Sequence, residues 1–213
     1  MARTTYVKKA RKAAGRCQSP TCKHETREIG EGESYKWFSI RSHRAARGQK
    51  RVYHTDCHVP RSHTTTSAQL QTIYDAVEAA ETEVSTLDAA EADATTLSGI
   101  AEMAAAGIRE AGEMYGESSD NIESGFGRST YVSDELREKA DGCESWADEL
   151  ESLDFDDFDE DSALEEAREE WDDQNPDNQA DSVGIDALVD DKRQDWLDEQ
   201  VAKLEEALSN QPF

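Results

Sequence analysis

The sequence predicts a mostly α protein with a small α+β head at its N-terminus, and three observations carry that prediction. Two close pairs of soft side chains, Cys17 with Cys22 and His54 with Cys57, flank a stretch long enough for a β-hairpin. An apolar spacing of three and four residues starts near Ser67 and runs on through a long helical pattern. Charge divides the chain: residues 1–63 carry 15 Lys and Arg against 5 Asp and Glu, whereas residues 64–213 carry 8 against 43. With 36% of residues apolar and 33% charged, a large globular core is excluded, which leaves a small stapled head and packed helices.

Residues 1–16 hold Lys8, Lys9, Arg11 and Lys12 among small side chains, without a strong hydrophobic period, and are expected to be a flexible basic arm. Residues 17–66 form the head. Pro20 and its polar neighbours let the chain turn so that Cys17 and Cys22 face one ion. Gly30 and Gly32 then punctuate the entry to a strand over Ser34–Ile40, rich in aromatic and β-branched residues. A second strand at Lys50–Tyr53 delivers His54 and Cys57.

Local pairs of this spacing are how a short chain gathers four tetrahedral ligands, and three thiolates with one imidazole select Zn²⁺ and leave no open position. One structural zinc ion on Cys17, Cys22, His54 and Cys57 is therefore expected, with His24 and His58 as competitors for the fourth place. His43 and His63 are assigned to flexible basic segments. Four cysteines are too few for a secreted disulfide framework, and no apolar run approaches a membrane span, which points to a reducing cytoplasm.

The order Cys-x4-Cys, about thirty residues, then His-x2-Cys with Tyr53 before the histidine resembles the finger of poly(ADP-ribose) polymerases and DNA ligases. That resemblance implies contact with DNA breaks. Over most of the chain the sequence is similar to small proteins of tailed viruses. The shared features are the basic start Lys9-Ala10-Arg11-Lys12, the knuckle, the strand with Gly32, Glu33, Tyr35 and Trp37, Gly125-Phe126-Gly127, and Ser133 to Ala140. This second resemblance implies a viral origin, hence host cytoplasm, and a fold, without supplying a function.

DNA or RNA is the partner the head suggests. Arg41, Arg44, Arg47, Lys50 and Arg51 lie between and on the strands, and with Lys8, Lys9, Arg11 and Lys12 they form a cluster that phosphate backbones attract by counterion release. Tyr35, Trp37 or Phe38 would stack on unpaired bases unless, as in most tiny metal domains, they form the core. The positive head would also attract its own acidic arm or a neighbour's.

Residues 67–153 are expected to form a long antiparallel helical hairpin of coiled-coil type. The first helix runs from Ser67 to about Gly116 on a stripe from Leu70, Ile73 and Val77 to Ile108, Ala111 and Met114. Residues 116–132 form the reversal. Ser133 caps the second helix, whose stripe is Leu136, Ala140, Cys143, Trp146, Leu150 and Leu153, with Cys143 a small core residue.

Residues 154–213 open on a dense acidic run, read as a loop into a short helix from Ser162 that ends at Asn175-Pro176. A last helix carries Trp196, Leu197, Val201, Leu204 and Leu208. It would pack on the hairpin or mediate homo-oligomerisation. No Gly-rich phosphate loop, Gly-x-Ser-x-Gly or His-Glu-x-x-His motif is present, and a non-enzymatic role is expected. Two other readings remain: an adaptor whose acidic helices engage a basic protein, even as a nucleic-acid mimic, and an acidity suited to concentrated salt.

Overall fold

The computed structural model describes residues 4–40, 49–175 and 182–212. The chain is mostly α with a small β head, and it divides into two compact units, Met1–Glu78 and Ala79–Phe213.

In the first unit, β1 (Thr5–Val7), β4 (Tyr35–Ile40) and β5 (Gln49–His54) form an antiparallel sheet in the order β1-β4-β5. Thr5 faces Trp37 across the first pair, and Trp37 faces Val52 across the second. A smaller ladder joins β2 (Gly15–Arg16) to β3 (Glu28–Ile29). Between them Cys17, Ile29, Phe38, Ile40, Val52, Tyr53 and Cys57 form the core. The rings of Phe38 and Tyr53 stack at 5.7 Å.

The basic N-terminal stretch, expected to be a flexible arm, is instead built into this unit. Besides the β1 ladder, Ala10 N–H donates to the Glu33 carbonyl and Gly32 N–H to the Ala10 carbonyl, both at 2.8 Å. Ala14 N–H reaches the Ile29 carbonyl at 2.9 Å. Backbone pairing needs no hydrophobic period, so the pattern of side chains carried no sign of it. Gly32, at a φ of 91°, makes the turn that offers this edge, in a conformation other residues rarely adopt.

One long helix expected from Ser67 to Gly116 is in fact two. Helix α1 spans Ala68–Val84 and α2 spans Ala94–Phe126. The apolar stripe stays in phase across the gap, which hides the break from a period count. At the break Ser85 and Thr86 bond back to the carbonyls of Thr82 and Glu83 at 2.7 and 2.9 Å, and Asp88 accepts from Ala90 N–H. Short polar side chains of this kind compete with the helix for its own backbone groups. Asp93 then caps α2, accepting from Thr96 N–H at 2.7 Å.

Helix α2 also passes through Gly116, where the reversal was expected to begin. It ends at Phe126, and the following Gly127, with a φ of 67°, makes the left-handed stop. Packing on α3 (Tyr131–Glu151) outweighs the roughly 1 kcal/mol an interior glycine costs. Thr130, not Ser133, is the N-cap of α3. Ser133 is the third helical residue, and its hydroxyl accepts from Thr130 N–H in a reciprocal capping box.

Helices α2 and α3 run antiparallel. Leu97, Ile100, Ala104, Ile108 and Ala111 on one side and Cys143, Trp146, Ala147 and Leu150 on the other are buried. Arg109 of α2 bonds Glu144, Asp148 and Glu151 of α3, and Arg137 of α3 reaches back to Asp120 and Glu123.

The acidic run leads through a loop into α4 (Glu160–Gln174), capped by Asp159, and α5 covers Ser182–Ser209. Phe155 is buried, and the backbone carbonyl of Asp156 accepts from Trp196 Nε1 at 2.9 Å. Ala167, Ile185 and Val189 form the contact of α4 with α5. Leu197, Leu204 and Leu208 are buried on α5, and Trp146 Nε1 donates to the Ala207 carbonyl at 2.7 Å, tying α3 to α5.

Candidate metal centre

The four ligands predicted from spacing converge in the first unit. Cys17 leaves β2 and its N–H donates to the Arg27 carbonyl at 2.7 Å; Gln18 N–H then anchors the knuckle to the Val52 carbonyl of β5 at 3.0 Å. Ser19 is wholly buried within the turn, and the Arg27 guanidinium holds its far end through the Pro20 carbonyl at 2.7 Å. Arg27 itself sits at a φ of 50°. On the other side β5 ends at His54, and a turn closed by Cys57 N–H to the His54 carbonyl puts both side chains on the same point.

One ligand atom from each of Cys17, Cys22, His54 and Cys57 lies within 4.8 Å of every other. His54 Nδ1 is 3.6 Å from Cys22 Sγ and 3.9 Å from Cys57 Sγ, and the last two sulfurs are 3.6 Å apart. A tetrahedron with arms of about 2.3 Å has edges of about 3.7 Å, so the four positions fit one metal ion.

Thiol chemistry supports the same fit. Burial, followed by the neighbouring sulfurs, pushes the Cys57 thiol up to about 12. At Cys22 burial acts upward too, but the His24 backbone and the sulfurs of Cys57 and Cys17 outweigh it and bring that thiol down. Such a cluster accepts one negative charge readily and resists a second. A bound divalent cation removes that conflict.

His24 and His58 do not take the fourth place. His24 stacks on His54 with ring centroids 3.7 Å apart and turns its Nε2 to Asp56, 3.0 Å away. That bond holds the Asp56 carboxyl below its ordinary range. His24, Asp56 and Cys57 also approach one another, though the first two are exposed. His58 faces Glu78 at 3.8 Å. His63, expected on a flexible segment, belongs to a 3₁₀ turn, Arg61–Thr64, and its Nδ1 meets Tyr53 Oη at 2.8 Å. Cys143 is wholly buried in the second unit, where burial pushes its thiol up to about 11.

Of the predicted nucleic-acid residues, Lys9, Arg11, Lys12 and Lys50 surround one cleft of about 450 Å³, with Val7, Ala13, Ala14 and Tyr35. Lys8 is exposed outside that lining. Arg51 is half-buried and follows Lys50 on β5, so it falls on the other face of the strand, in the field of Tyr53 and His63. Arg41, Arg44 and Arg47, like His43, lie outside the described residues.

Sequence reasoning missed the Asp56–His24 support of the centre and the placement of Lys50 over Tyr35. Neither has a signal in spacing, because each joins residues far apart in the chain. No family model, no curated protein and no solved structure matches this chain. No helix among the described residues is long and apolar enough to cross a membrane.

Proposed function

We propose that the chain is a non-enzymatic zinc-binding protein that holds nucleic acid through its basic head, with the acidic helices serving oligomerisation or partner contacts. Zinc is favoured by the donor set. Three thiolates and one imidazole on a closed tetrahedron suit a structural ion without a site for substrate water. The observation that carries the nucleic-acid reading is the cleft beside the metal head, where Lys9, Arg11, Lys12 and Lys50 converge without a carboxylate among the lining residues. A viral origin, and with it a host cytoplasm, belongs to the same proposal and rests on the sequence resemblance of residues 125–127 and 133–140 alone.

The test uses the full-length protein, purified with its metal. Elemental analysis is expected to give one zinc per chain, and labelled DNA and RNA should be retarded with an affinity that falls steeply as salt rises. Absence of retardation at low salt overturns nucleic-acid binding. With zinc retained, that result shifts the role to the acidic helices as an adaptor for a basic protein or a mimic of nucleic acid.

A further inference from the structure

Side chains alternate along β4, so Phe38 and Ile40 are buried while Tyr35 and Trp37 emerge half-buried on the opposite face. Lys50, on the neighbouring strand, lays its ammonium over both rings, 5.6 Å from the centroid of Tyr35 and 4.8 Å from that of Trp37. The chain between β1 and β2 brings Lys9, Arg11 and Lys12 to the same cleft. Among the described residues, none of these four cations pairs with a carboxylate. The result is a cleft with Tyr35 in its wall, a rim of unneutralised positive charge, and one cation, Lys50, lying over both Tyr35 and the neighbouring Trp37.

We propose that this cleft receives a single strand of nucleic acid, with a phosphodiester held by Lys9, Arg11 and Lys12 and a base stacked on the Tyr35 and Trp37 face. The inference rests on the nucleic-acid reading above and specifies which form is bound. Lys50 has two positions in it: on the rings in the free protein, and on the phosphate once a base takes its place. A duplex keeps its base faces stacked inside and is read by an element that enters a groove. Here every lining residue comes from a strand or a loop, and the Tyr35 ring shares the lining with four cations. Rings flanked by cations are how single strands are held without base-edge reading.

The experiment measures fluorescence anisotropy of labelled oligothymidylate and of a duplex of equal length, titrated with the full-length metal-loaded protein over a salt series. The single strand is expected to bind at least about tenfold tighter than the duplex. Lys50→Gln, and separately Lys9→Gln with Lys12→Gln, should weaken single-strand binding by about tenfold or more and flatten the salt slope by about 0.7 per cation removed. Tyr35→Leu should weaken it by about tenfold with the slope unchanged. Metal content and circular dichroism confirm that each variant is folded, and the exposed lysine variants carry the test if Tyr35→Leu is not. Equal or tighter duplex binding, or lysine variants that bind like the wild type, overturns the cleft assignment and leaves nucleic-acid binding standing. Failure to bind either form overturns both.

Discussion

Gly112 of α2 lies against Cys143 of α3 so closely that a Cβ added to the glycine would stand 2.9 Å from the Cys143 Cβ and 3.3 Å from the Ala140 carbonyl oxygen. The two helices touch backbone to side chain at this point, and a side chain at 112 would force them apart. Gly112→Val is expected to lower stability by about 1–3 kcal/mol, the usual cost of overpacking. At Gly116, one turn on, nothing lies within 4 Å of an added Cβ. Gly116→Ala should therefore be neutral or stabilising by up to about 1 kcal/mol. Urea unfolding of both variants checks the pair; equal effects would refute the close approach.

Removal of the metal should unfold the first unit while the helical signal of the second survives. A chelator titration followed by far-ultraviolet circular dichroism reads this directly. Cys17→Ser, Cys22→Ser, Cys57→Ser and His54→Ala are each expected to abolish stoichiometric metal. His24→Ala and Cys143→Ser should keep it, since His24 faces Asp56 and Cys143 lies in the other unit. Metal should also be released in acid, because thiolate ligands must give up their protons to bind. Loss of metal from the Cys143 variant would contradict the ligand set.

Arg109 donates to Glu151, Asp148 and Glu144 at 2.6, 3.1 and 3.3 Å, and its hydrogen bond to Glu151 holds that carboxyl below its ordinary 4.5. The folded chain then binds fewer protons than the unfolded one. Stabilisation from the pair is present above pH 4.5 and is lost as pH falls through the lower folded value. Arg109→Gln should lower the melting temperature modestly at neutral pH and flatten its fall in that acid range, so that the two proteins converge there. Added salt should shrink the difference, since the pairs are exposed.

At His63 the sign runs the same way in a different window. Burial first, then Arg51, lowers the imidazole below its ordinary 6.5, against the opposing pull of Asp75 and Glu78. Tyr53 keeps its proton, its hydroxyl pushed up to about 12 by burial, and its Oη is hydrogen-bonded to Nδ1. Neutral His63 contributes stability above pH 6.5 that is lost as pH falls through the lower folded value. In excess zinc, the melting curves of wild type and His63→Gln should diverge in slope below that pH. Tyr53→Phe, which removes the hydroxyl, should cost about 1 kcal/mol at neutral pH.

The second unit should be stabilised by salt. Residues 79–213 hold 41 acids and 8 cations, and six of the cations, Arg109, Arg137, Lys139, Lys192, Arg193 and Lys203, already sit in ion pairs. The remaining acids repel one another, so screening relieves more repulsion than it removes attraction. Helical melting temperature is expected to rise from low to molar sodium chloride. A fall would mean that the ion pairs outweigh the repulsion.

Cys and His spacing, strand composition and the three-and-four stripe are local properties, and what depends on them was legible along the chain: the gathering of Cys17, Cys22, His54 and Cys57, β4 and β5, the stripe residues of α2 and α3, and the core place of Cys143. What depends on contacts between distant residues emerges in the folded chain alone. The basic stretch became β1 because β4 offered it a free edge, and α2 continued through Gly116 because Ala111, Tyr115 and Ser119 on either side of it are buried. Thr130 displaced Ser133 as the cap because their two side chains satisfy each other's backbone. The centre took His54 because Asp56 turned His24 away, and Lys9, Arg11, Lys12 and Lys50 became one cleft only when β5 brought Lys50 beside β4. Spacing along a chain fixes which groups can act, but pairing energies and burial, which arise only between segments, fix which of them meet.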